Sequence, residues 1–118
     1  MSYLFYDMTK FNGHIEKWDV SNVKDMNSMF SWAYSFNQLI GDWNVSNVKN
    51  MADMFNNACS FNQPIGNWNV SNVENMSSMF SYAYSFNQPI SDWDASNVNT
   101  YNMFFECPIK EEYKPKFK

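Results

Sequence analysis

Chemistry in this chain would have to come from few groups: one histidine, two cysteines, three methionine pairs and a face of carboxylates and amides. His14 has no serine, cysteine or carboxylate placed to complete a nucleophile–base–orienter set. It occupies a column otherwise held by Leu39, Pro64 and Pro89, and so reads as a surface residue. Met26 and Met29, Met51 and Met54, and Met76 and Met79 form M-x-x-M pairs whose thioethers suit Cu(I). The same spacing puts them on an apolar stripe, where methionine fills irregular core space. Cys59 and Cys107 fall two repeats apart. Two strand spacings are roughly 9–10 Å, beyond the ~7 Å that a disulfide bridges, so both are expected as free thiols. On one face Asp19, Asn44, Asn69 and Asp94 run beside Lys17, Asp42, Asn67 and Asp92. Such oxygen-rich surfaces attract Ca²⁺, but a merely solvated face accounts for the same residues. The reading is no metal, no cofactor and no enzyme, since catalysis needs one asymmetric constellation rather than near-equal copies.

The elements that would position these groups are set by an internal repeat. Trp18, Trp43, Trp68 and Trp93 are 25 residues apart, as are Phe11, Phe36, Phe61 and Phe86. Ile15, Ile40, Ile65 and Ile90 keep the same step, and so do Val23, Val48, Val73 and Val98. Within a repeat, Val23, Met26, Phe30 and Ala33 step by three, four and three, which predicts a short helix begun by Ser21 or Asn22. Upstream, Trp18 and Val20 alternate with polar residues and predict a very short strand. No such unit buries its own apolar side, so neighbours must stack. The expected fold is α/β: a right-handed leucine-rich-repeat-like solenoid with one short parallel strand and one short helix per coil. It spans residues 1–105, with a half-repeat at 1–11, followed by a charged capping segment at 106–118. Carrying the 25-residue step to the end places Cys107 in the column of Trp32, Asn57 and Tyr82, and Pro108 in that of Ala33.

Composition excludes some partners. The chain of 118 residues has a net charge of −4, and all its basic residues are lysines. Nucleic-acid binding, which favours a basic face and arginine forks, is not expected. No apolar run is long enough for membrane insertion, and the start "MSYLFYDMTKFNG" lacks the basic and apolar regions of a secretory signal.

The string I-x-x-W-x-V-S-N-V-x-x-M-x-x-M-F-x-x-A-x-x-F over residues 15–36 is similar to leucine-rich-repeat spacing, and more so to its BspA-like branch. "SFNQPIGNWNVSNV" at 60–73 and "MSSMF" at 76–80 resemble the mycoplasma lipoprotein-associated repeat, a domain of unknown function. The resemblance implies a leucine-rich-repeat-like solenoid, mostly surface proteins suspected of adhesion or partner binding, and no catalytic residues.

If the repeated string is framework, function belongs to the columns that vary. Trp32 and Tyr82 flank the inward alanines with Tyr34 and Tyr84, and such rings are over-represented at binding hot spots. The second candidate surface is the polar face of Lys17, Asp19, Asp42, Asn44, Asn67, Asn69, Asp92 and Asp94. Protein recognition or adhesion is the expected function. The alternative is a structural, self-assembling element, for example in a virion, whose exposed coil ends associate head to tail.

Overall fold

In the computed structural model, which describes residues 1–116, the Met/Phe half of each repeat is not a helix. It is a run of β-turns. The N–H groups of Met29, Ser31 and Ala33 return to the carbonyls of Met26, Ser28 and Phe30 at 3.2, 3.2 and 3.0 Å. Ser28 and Trp32 have φ of 57° and 64°, the left-handed region that a right-handed helix excludes. The alternate N–H groups leave the coil altogether. Those of Met26, Ser28, Phe30 and Trp32 donate to Asn50, Ala52, Met54 and Asn56 of the next coil, at 2.9, 3.0, 2.9 and 2.9 Å. A helix would need them for its own i−4 carbonyls. Apolar residues at i, i+3, i+4 and i+7 line one side of a turn run as well as one side of a helix, so spacing alone does not separate the two. Asparagine, serine and aspartate at 27, 28, 53, 57, 77 and 78 do, because they bond locally and favour turns.

The tryptophan half is not a strand either. Its coil-to-coil bonds come largely from side chains. The indole N–H groups of Trp43, Trp68 and Trp93 donate to the carbonyls of Ile15, Ile40 and Ile65 at 3.1, 3.0 and 3.2 Å. Asn12, Asn37 and Asn62 each accept, on the side-chain oxygen, the backbone N–H of Asn37, Asn62 and Asn87 one coil on. Among the described residues, parallel backbone pairing is confined to single bridges, Asp25 to Asn50, Asn50 to Asn75, Asn75 to Asn99 and Asp94 to Lys116. The only helical segment among the described residues is the 3-10 turn Glu111–Tyr113. The expected leucine-rich-repeat-like architecture of one strand and one helix per coil is therefore corrected: each coil is a turn run joined to a side-chain-fastened loop.

Aromatic ladders fill the space between the two halves. Phe5, Phe30, Phe55, Phe80 and Phe104 stack at 5.5, 5.5, 5.5 and 5.8 Å, and Phe11, Phe36, Phe61 and Phe86 at 5.9, 5.9 and 6.1 Å. Met26, Met29, Met51, Met54, Met76 and Met79 are wholly buried among them. Each buried ring or thioether side chain contributes about 1.5–3 kcal/mol, so the ladders carry the stack.

The 25-residue step does not survive to the end of the chain. Asn99 receives two roles held elsewhere by successive residues. Its N–H meets Glu74 as that of Glu74 meets Lys49, and its carbonyl takes the Met76 N–H as that of Asn75 takes Met51. One residue is missing there, and everything after it shifts. Phe104 joins the phenylalanine ladder, Met103 is buried in the Met29 column, and Glu106, with φ of 56°, takes the place of Trp32 and Tyr82. Cys107 thus occupies the alanine column, which corrects the placement of Cys107 with Trp32 and of Pro108 with Ala33. Residues 109–116 lie on the last coil: Lys110 N–H reaches the Asn87 side-chain oxygen, Ile90 N–H reaches Tyr113, and Lys116 pairs with Asp94. Residues 117 and 118 of the expected capping segment lie outside the described residues.

Candidate functional site

Two adjacent β-turns per coil hold the aromatic candidates on one edge of the stack. The second turn needs positive φ at its third residue, and Asp7, Trp32, Asn57, Tyr82 and Glu106 supply it with φ of 60°, 64°, 61°, 59° and 56°. Asparagine and aspartate enter this region readily, whereas a bulky ring there is an outlier. Trp32 and Tyr34 meet edge to face at 5.9 Å and are 38% and 39% exposed. Tyr82 and Tyr84 repeat the arrangement at 6.1 Å, with Tyr84 55% exposed and Tyr82 half-buried. Phe105 adds a third ring, 5.4 Å from Tyr82. Sequence reasoning missed Phe105 because the lost residue near Asn99 hid its register.

The polar candidates divide into two groups. Asp42, Asn67 and Asp92 line an open groove of about 440 Å³ together with Leu39, Pro64 and Pro89. Gly41 and Gly66 also line it, and an added Cβ there would come within 2.4 and 2.5 Å of the Pro64 and Pro89 carbonyl oxygens. Only glycine allows that approach. Leu39, Pro64 and Pro89 were legible as a variable, exposed column, though not as part of a groove lining. Asn67 and Asp92 also border a second hollow with Asn69 and Asp94.

The second group is committed to turns. Asp19 accepts the N–H and hydroxyl of Ser21 at 3.0 and 2.6 Å, and Asn44 does the same for Ser46 at 3.0 and 2.6 Å. Asn69 takes the Ser71 N–H, and Asp94 takes the N–H and hydroxyl of Ser96. The Ser21 hydroxyl, then its N–H, holds the Asp19 carboxyl below its ordinary value. Lys17 is exposed at the first of these loops.

Among the described residues, nothing brings the nucleophilic or metal-ligating types together. His14 is 82% exposed along its side chain and meets Glu16 at 3.2 Å. Cys59 and Cys107 are free thiols whose ionisation burial pushes upward, away from the thiolate. Among the described residues no group of three or more histidine, cysteine or acidic side chains could hold a metal ion, and no helix is long and apolar enough to cross a membrane. What the arrangement offers is contact area: a ringed edge and a narrow groove on a stacked frame.

A family model described as "Mycoplasma protein of unknown function, DUF285" matches residues 1–114. Neither the curated proteins nor the solved structures gave a match.

Proposed function

The chain belongs to the Mycoplasma family of unknown function DUF285, and from that premise we propose that it is a non-catalytic recognition module whose aromatic edge binds a protein partner. The observation that carries this reading is the pair Trp32 and Tyr82. Both sit at a positive-φ position that asparagine fills in the coil between them. A large ring in that conformation costs roughly 1–2 kcal/mol of backbone strain, and the Trp32 ring still stands 38% exposed. Stacking needs neither ring there. Strain retained at an exposed aromatic is the pattern of a contact residue. The spacing likeness to BspA-like repeats, a likeness of sequence and not of fold, points the same way.

The test uses asparagine, which the frame accepts at Asn57, rather than alanine, which would be strained. Peptides selected from a displayed random library against the wild-type chain are expected to lose at least tenfold in affinity on the Trp32→Asn, Tyr82→Asn double variant. The fold should persist. Selected peptides that bind the double variant unchanged, but lose affinity on Asp42→Asn, Asp92→Asn, would move recognition to the groove and sink the aromatic-edge reading.

A further inference from the structure

We propose that the groove along the proline column binds an extended, basic segment of a partner protein, one with two lysine or arginine side chains three residues apart. The inference does not rest on the aromatic edge. Each of three successive coils gives the groove one apolar and one polar residue: Leu39 and Asp42, Pro64 and Asn67, Pro89 and Asp92. The core does not use the apolar members. Leu39 is 60% exposed and Pro64 and Pro89 are exposed, while Ile40, Ile65 and Ile90 beside them are 0% exposed. The fold does not use the two carboxylates either. Asp19 and Asp94 hold the N–H two residues on, whereas Asp42 and Asp92 meet no donor or cation among the described residues. No basic residue among those described lines the groove.

The chemistry of the lining selects its occupant. Lysine and arginine carry an apolar stem beneath a cationic head, which matches an apolar and an acidic residue offered by the same coil. A single metal ion cannot use both carboxylates. Coils paired in parallel lie about 4.8 Å apart, so two steps set the Asp42 and Asp92 backbones roughly 10 Å apart. A calcium ion needs its oxygens at about 2.3–2.6 Å. A polyproline II segment, by contrast, returns every third side chain to the same side about 9 Å further on. Basic residues at its first and fourth positions therefore meet Asp42 and Asp92, with the intervening pair over Asn67. The coil before the groove limits its length. Glu16 and Lys17 stand there in the columns of Gly41 and Asp42, so the acidic column begins at Asp42. The net charge of −4 adds a long-range attraction for the same ligand.

The test is a titration of the 118-residue chain, followed by its amide resonances at low ionic strength, with a peptide carrying Lys-Pro-Pro-Lys between glycine–serine flanks. The signals of residues 39–42, 65–67 and 90–92 are expected to shift together. The double variant Asp42→Asn, Asp92→Asn, two exposed and near-isosteric changes, is expected to bind roughly tenfold more weakly, the sum of two exposed ion pairs. Its other signals should stay in place. A peptide of the same composition in the order Lys-Lys-Pro-Pro, which cannot reach both carboxylates, should lose about threefold, one such pair. The Trp32→Asn, Tyr82→Asn variant should bind like wild type. No binding, shifts centred elsewhere, unchanged affinity in the aspartate variant, weakened binding in the aromatic variant or equal binding of the two peptide orders would overturn the proposal. Spermine binding as tightly as the Lys-Pro-Pro-Lys peptide would overturn it too, by assigning the groove to free polyamines.

Discussion

Tryptophan and asparagine serve as fasteners in this chain more than as binders. Each interior indole fills the core and also spends its N–H on an isoleucine carbonyl 28 residues back. Trp68→Phe removes one of the two N–H groups that meet the Ile40 carbonyl, leaving that of Trp43, and is expected to cost about 0.5–1.5 kcal/mol in urea denaturation. Trp18→Phe, whose indole is exposed, should change little. The asparagine columns fasten backbone groups: Asn12, Asn37, Asn62 and Asn87 each take an N–H from one coil on. Four candidate site residues proved harder to read. Asp19, Asn44, Asn69 and Asp94 carry the right atoms for binding, but those oxygens cap the N–H two residues on. A residue type announces its capacity for hydrogen bonding; only the local fold says who receives it.

At the scale of the element, a single set of spacings supported two geometries. The three-four-three apolar step of Val23, Met26, Phe30 and Ala33 suits a helix, yet the chain forms turns because its alternate N–H groups find better-placed carbonyls in the neighbouring coil. An isolated helix of this length is marginal in water, so tertiary bonds outweigh local ones. Ser78, with φ of 55°, provides the discriminating experiment. In a helix, glycine at that position costs around 0.5 kcal/mol or more relative to serine. In a left-handed turn, Ser78→Gly is expected to stabilise by about 1 kcal/mol and Ser78→Val to destabilise by more than that. Urea midpoints of the two variants read the sign directly, and a destabilised glycine variant would contradict the turn run.

The whole molecule behaves as a one-dimensional stack, in which each coil touches its neighbours and stability is approximately a sum over coils and junctions. Excising residues 50–74 joins Lys49 to Asn75 in register, and the shortened chain is expected to unfold cooperatively with a lower midpoint and a smaller urea dependence. Loss of cooperativity would show that the coils are not interchangeable. The sequence by itself determined the period, the identity of the core ladders and the columns free to vary, because burial repeats wherever identical side chains recur. It did not determine secondary structure, since an apolar stripe fixes which side is buried and leaves open where each N–H is satisfied. Nor did it determine the register after Val98, where a single residue is lost within a stretch whose side chains no longer match. Cys107 and Phe105 could be placed only by following the Asn99 hydrogen bonds across the junction. The groove is likewise a property of stacking: it arises from residues 25 positions apart coming to lie side by side, which only the tertiary structure decides.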